Sequence, residues 1–202
     1  MCKQKRQLIG LTNNKMSTRL LRTLLIILST FLPACCTDPV YLDSHFSPTL
    51  RTGISACKFD LISVNDIRKN KKSLGEIGRR RVKNERVIDW LTNGLKSVGI
   101  APQKGDEPHK CLVDVEIDLV ALHGRSISTS MSCNIVLRAK FCHNGVLLEQ
   151  KIYRGCNVNV NWVSGEDEIG ASFDRALKDA LVEISKDANA ICRRCTIDKH
   201  QL

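Results

Sequence analysis

Aromatic residues are scarce in this 202-residue chain, at 4%. The scarcity matters because the chain is basic, with 31 Lys and Arg against 21 Asp and Glu and a formal net charge of +10. Proteins that hold exposed bases of nucleic acid stack them on aromatic rings set among positive charges, and no rings interleave the charges here. Long apolar runs are also missing. The one pronounced run, Thr23 to Leu32, falls well short of the roughly 20 residues a membrane-crossing helix needs, so a multi-span membrane protein is excluded. Neither G-x-x-x-x-G-K-[S/T] nor G-x-G-x-x-G occurs, and Gly75-Glu-Ile-Gly78 lacks the strand-then-helix context of a phosphate cradle. What is present is ordinary for a folded domain: 43% hydrophobic and 26% charged residues, unlike a disordered or collagen-like chain. The length suits one domain, or two small ones.

Acidic residues are absent from positions 1–34, which hold the bases Lys3, Lys5, Arg6, Lys15, Arg19 and Arg22. Residues 35–202 therefore carry 25 bases against 21 acids, a net +4. A basic start, a short apolar run and small residues at its exit are the three parts of an export signal. A core helix or an uncleaved anchor is the alternative, but no period of 3.6 interrupts the run. Met16-Ser-Thr-Arg-Leu-Leu-Arg22 forms a basic start by itself, so translation from Met16 would still give a complete signal.

Leu32-Pro33-Ala34-Cys35 follows, and it resembles the bacterial lipobox, in which Leu, two small residues and Cys mark a site of lipid attachment. The resemblance implies a diacylglycerol thioether and an amino-terminal acyl chain, such as palmitate, on Cys35; multiple chains anchor far more firmly than one. Pro33 departs from the usual small residue. Cys36 and Thr37 follow, and the lack of Asp after the lipidated Cys resembles the enterobacterial sorting pattern for the outer membrane. The expected organisation is a signal peptide at 1–34, a lipidated flexible tether at 35–54 with Pro39, Pro48 and Gly53, a periplasmic domain at 55–195 and a short tail at 196–202.

Within that domain, Lys58 to Val64 reads as a strand. A basic, Gly-punctuated loop follows, and then a helix whose apolar positions Val87, Trp90, Leu91, Leu95 and Val98 form one stripe ending at Gly99. Val113, Val115, Ile117 and Leu119 alternate with Asp114, Glu116 and Asp118 in a strand with one wet face. Cys133 to Phe141 alternates likewise. Asn144-Gly145 predicts a type I′ hairpin to the run Val146–Tyr153, with Asn157–Trp162 continuing beyond a bulge at Gly155. Phe173, Ala176, Leu177, Ala180, Leu181, Ile184 and Ala188 mark a final helix. The order β-α-β-β-β-α predicts an α+β fold: an antiparallel sheet of about four strands with two helices packed on one face.

Val64-Asn-Asp-Ile-Arg68, Leu74-Gly75 and Val87-Ile-Asp-Trp-Leu91, followed by a meander and a long Ala/Leu helix, resemble the YajG-type family of small uncharacterised bacterial lipoproteins over roughly residues 55–190. The resemblance implies a periplasmic accessory module that binds envelope machinery and carries no catalytic residues. The cysteines and the basic loop are not marks of that family.

Setting aside Cys2 in the signal and Cys35, eight cysteines remain (Cys36, Cys57, Cys111, Cys133, Cys142, Cys156, Cys192 and Cys195). They are free to pair in an oxidising periplasm, in any of 105 full pairings. Cys192-Arg-Arg-Cys195 has the spacing of redox and zinc motifs, and reads otherwise as a disulfide or as inert thiols. It lies at the end of a helix rather than its start, and no second pair supplies zinc ligands. The five His are scattered, and none sits in a pattern with a nucleophile and an orienting acid. Asp114, Glu116 and Asp118 share a strand face that would suit a cation or simply solvent. Arg68, Lys69, Lys71 and Lys72 with Arg79, Arg80, Arg81 and Lys83 form the basic cluster of the mature chain. They are candidates for binding an anion or a partner, or else belong to a solvated loop.

The expected protein is thus a non-enzymatic lipoprotein that needs no cofactor or metal. It would be lipid-anchored at the periplasmic face of the outer membrane, serve as an accessory or scaffold domain with an envelope protein as partner, and bind no nucleic acid. The alternative is a lipid- or small-ligand-binding module holding an acyl chain between helices and sheet. A large apolar cavity there would favour the alternative, and a filled core the scaffold.

Overall fold

The structure, a computed structural model, describes residues 39–42, 57–102, 112–127, 129–160 and 165–197, all within the unit Thr37–Leu202. Its spine is an antiparallel meander of three long strands: β6 (Leu112–Ile127), β7 (Ser130–His143) and β8 (Val146–Val160). Along β7 the alternation is complete: Met131, Cys133, Ile135, Leu137, Ala139 and Phe141 are fully buried, and the residues between them are not. The β7–β8 turn is built as its sequence predicts, with Asn144 at φ 51° and Gly145 at φ 74°.

The remaining strands overturn the expected sheet, which is mixed and eight-stranded rather than a four-stranded antiparallel one. β2 (Lys58–Asp66) runs parallel to β6, from Lys58 opposite Leu112 to Asp66 opposite Leu119. Beyond it the same edge of β6 takes β3 (Gly75–Ile77), also parallel, with Gly75 opposite Gly124. β4 (Arg80–Lys83) pairs antiparallel with β3, and β1 (Val40–Tyr41) runs parallel to β4. β5 (Ile100–Ala101) adds a parallel edge to β2. The physical reason for the parallel pair is the crossover. A strand, then α1 (Val87–Ser97), then a strand returns the chain in the same direction, whereas a hairpin would reverse it.

The long helix α2 (Glu166–Ile197) lies over β7 and β8 and packs against α1. Phe173, Ala176, Leu177, Ala180, Leu181 and Ile184 have no exposed surface, as their spacing predicts. Trp90 of α1 donates its Nε1–H to Asp174 of α2 at 2.8 Å, a buried polar contact between the helices. The expected bulge at Gly155 is absent, since pairing runs unbroken from Ile135 opposite Gly155 to Val136 opposite Arg154. The irregularity falls instead between Phe141 and Cys142. The segment read as a tether, 35–54, contains β1, with Val40 fully buried. Cys35 itself and the signal segment lie outside the described residues, as does Cys111.

Candidate functional site

Because β2 covers the edge of β6 only as far as Leu119 and β3 only from Gly124, positions 120–123 of β6 have neither strand alongside. The chain leaves β2 through Ile67, whose N–H donates to the Leu119 carbonyl at 3.1 Å, and returns through Leu74, whose carbonyl accepts from Gly124 N–H at 2.5 Å. The loop 67–73 bridges this notch and leaves a surface groove of about 450 Å³, within the range of small-molecule sites. Ile67, Val120, Ala121 and Leu122 give it an apolar lining. Arg68, Lys69, Ser73 and His123 supply polar and basic groups, and past Ser73 and His123 the depression continues over Lys72, Glu76 and Arg81.

Arg68 is the unusual member. Its side chain is 3% exposed, and its Nε and Nη2 clamp Asp66 at 2.9 and 2.7 Å. Its Nη1 is buried with no hydrogen-bond partner, the kind of unanswered donor that costs about 1–3 kcal/mol. The Arg68 guanidinium holds the Asp66 carboxyl below its ordinary value of 3.8, against the upward push of burial.

The predicted basic residues do not all meet at the groove. Arg68, Lys69, Lys72 and Arg81 line the groove and its continuation. Lys71 lies near enough to Asp66 to lower its pKa further, and Arg79 sits in the turn of the β3–β4 hairpin. Arg80 instead reaches Glu166 at the start of α2, at 3.2 Å. Lys83 stands over the Tyr41 ring, 5.8 Å from its centre. Sequence reasoning missed the apolar lining, Ser73 and His123, because the notch arises from two strands sharing one edge.

Two of the three acids on this face of β6 are answered by bases of the neighbouring strand, while Asp114 lies opposite Cys142. Asp118 accepts from Arg138 Nη2 at 2.6 Å and Nε at 2.9 Å, and from Asn65 at 3.2 Å. Glu116 pairs with Lys140 at 3.1 Å. Each base lies directly opposite its acid in the β6–β7 register, the placement in which cross-strand charges attract. Among the described residues no three His, Cys, Asp or Glu converge as metal ligands.

Burial pushes Asp118 up, but the hydrogen bonds from Arg138 and Asn65 outweigh it and leave the carboxyl below 3.8. Asp187 behaves likewise, held low against burial by Lys151 at 2.6 Å and the Tyr153 hydroxyl at 2.8 Å. A folded value below the unfolded one contributes stability that is complete above about pH 4 and lost as pH falls through the folded value. We therefore expect Asp118→Asn to flatten the loss of stability as the pH falls below about 4, measured by urea unfolding at a series of acidic pH values. Curves parallel to the parent's would contradict the assignment.

The cysteines correct one expectation. Cys192 is bonded to Cys57, the residue just before β2, and not to Cys195, which is free. Cys133 lies in the core, and burial pushes its thiol up to about 11, where it stays protonated and inert.

No protein-family model matches the chain, and no curated protein matches its sequence. Solved structures similar to it include a Xanthomonas campestris protein of the DUF330 family, at TM-score 0.41 and 12% identity over 82% of this chain and 98% of that one. Another is a minor lipoprotein of Acinetobacter baumannii, at TM-score 0.35 and 8% identity over 63% of this chain and 92% of that one. At such scores neither likeness carries an inference about function. No helix among the described residues is long and apolar enough to cross a membrane.

Proposed function

We propose that this chain is a lipid-anchored, non-enzymatic accessory domain of a bacterial cell envelope. Cys35 would hold it at the periplasmic face of the outer membrane, and the outer face of its sheet would be offered to a protein of an envelope complex. The observation that carries the reading is where the apolar surface lies. Where α2 meets α1 and the sheet the packing is close at two points: a Cβ on Gly94 of α1 would stand 2.9 Å from Leu177, and one on Gly124 of β6 would stand 2.7 Å from Phe173. An acyl chain has no room at these contacts, which disfavours the carrier alternative. On the face of β8 turned away from α2, Leu147, Ile152, Val158 and Val160 are exposed, Val158 by 66%. Gln150 and Arg154 interrupt these side chains on the same face, and we read the mixed, partly apolar strip as the surface offered to a partner.

The strip is offered as a face and not as an edge. Asp179 of α2 accepts the Cys156 N–H at 3.2 Å, and the Asn159 side chain accepts the Val160 N–H at 3.0 Å. Both interactions blunt β8 against strand addition. A photo-crosslinker placed at Ile152 or Val158 in growing cells should give a discrete protein adduct that a crosslinker at the exposed Lys178 of α2 does not, and that Cys35→Ser abolishes by releasing the protein from the membrane. No adduct from either strip position would remove the partner. Unchanged processing and fractionation of Cys35→Ser would remove the anchor.

A further inference from the structure

The burial of β1 shortens the leash. Val40 is fully buried and pairs with Val82, and it lies five positions from Cys35. At roughly 3.3–3.6 Å per residue those five steps span at most about 18 Å, where a free tether through residue 54 would allow several times that. Direction matters as much as length. β1 runs parallel to β4, with Val40 opposite Val82 and Tyr41 opposite Lys83, so the chain toward Cys35 leaves β1 on the side of Arg81 and the β3–β4 turn. The disulfide end of the domain is far away. Cys57 adjoins Lys58, opposite Leu112, whereas β3 joins β6 at Gly124, and those twelve positions correspond to roughly 40 Å of strand.

The surface at the anchored end is basic and carries exposed apolar groups. Lys69, Lys71 and Lys72 are exposed on the loop, Arg79 and Arg81 on the hairpin and Arg125 on β6 beside it. Ile67 is 45% exposed among the lysines, and Tyr41, on β1, is 50% exposed, a residue type that favours the headgroup layer of a bilayer. Opposing charges are Glu76, across from Arg81, and the first turn of α2, where Asp167 and Glu168 follow the Glu166 that answers Arg80.

We propose that this end of the sheet, comprising the β3–β4 hairpin and the groove under loop 67–73, docks on the bilayer that holds the Cys35 lipid, with anionic phospholipid headgroups as its occupant. The proposal deepens the lipoprotein reading and rests on it. A leash of at most about 18 Å holds the basic face within roughly two screening lengths of the membrane at physiological salt. Headgroup phosphates are thereby kept at high effective concentration beside Lys69, Lys72 and Arg81, with Ile67 positioned to enter the interfacial layer.

The test uses the full lipidated protein, reconstituted into vesicles of phosphatidylcholine alone or mixed with phosphatidylglycerol, with amide hydrogen exchange as the readout. Exchange of residues 67–83 should slow several-fold in the anionic vesicles. It should return to the phosphatidylcholine rate in high salt and in the triple variant Lys69→Glu, Lys72→Glu, Arg81→Glu. Amides of β7 should exchange alike throughout, which reports an intact fold. Equal exchange of 67–83 in both vesicles, with a lipid mass found on Cys35, would overturn the docking and leave the lipoprotein reading standing. Absence of the lipid mass would overturn both.

Discussion

Serine at Cys57 or Cys192 is expected to lower the unfolding free energy of this protein by about 2–5 kcal/mol, the usual range for removing a native disulfide. The bond joins positions 135 apart, so it closes nearly the whole folded part of the chain into one loop. On the chain-entropy account such a loop is worth about 5 kcal/mol, near the top of that range. It ties the first residue before β2 to the last turns of α2, two elements that sequence separation alone leaves independent in the unfolded chain. Both half-cystines are buried, at 6% and 3% exposure, so either change also leaves a serine hydroxyl beside a freed thiol in an apolar setting. Urea unfolding with and without reductant measures the effect, and serine at Cys142, Cys156 or Cys195, all free, is the control that should change little. An unchanged midpoint in reductant would contradict the bond, and a peptide map joining Cys192 to Cys195 would replace it with the local pairing that the spacing suggests.

That pairing shows where a sequence pattern is weakest. Cys192 and Cys195 stand one helical turn apart, and nothing in the chain says that Cys57 is closer. Periodicity, by contrast, located β7 from Cys133 to Phe141 and the stripe of α2 from Phe173 to Ala188, though not their buried extensions at Met131, Ile169 and Ile191, because a face packed without gaps leaves the same alternation in the sequence as in the burial. The β3–β4 hairpin escaped notice for the opposite reason. Its strands are three and four residues long, and Ile77 and Val82, both fully buried, are single apolar residues among bases, too few to display a period of two. The parallel pairing of β2 with β6 was legible in principle from the order strand, helix, strand. The strength of the Asn144-Gly145 hairpin signal drew the reading toward an antiparallel sheet throughout. The groove was not legible at all: its residues come from a gap between Asp66 and Gly75, measured along a strand numbered in the 120s, and only the register brings them together.

Gly155 carries the other large expected effect. It sits in mid-strand on β8 opposite Ile135, where glycine normally weakens a sheet by roughly 0.5–1 kcal/mol, so something must require it. A Cβ at that position would lie 1.8 Å from the carbonyl oxygen of Ala176 and 2.9 Å from the amide nitrogen of Ala180. Both are backbone atoms of α2, so no rotamer change relieves the clash, and the helix would have to lift from the sheet. Around the same contact, Asp179 accepts the Cys156 N–H, Asn157 donates to Ser172 at 2.7 Å, and Tyr153 and Lys151 donate to Asp187. A shift of α2 stretches all of these together. Overpacking in a well-filled interior costs about 1–3 kcal/mol and sometimes more, and Gly155→Ala should fall at or above the upper end of that range. The same chemical change at Gly170, in the first turns of α2 with open space at its Cβ, should instead stabilise by roughly 0.5–1 kcal/mol through helix propensity. Opposite signs from two identical substitutions, read as shifts in urea midpoint at constant slope, would identify close backbone approach as the reason for Gly155. Equal and small shifts would mean that the helix and sheet are less tightly joined than the packing of Ala176 on β8 requires.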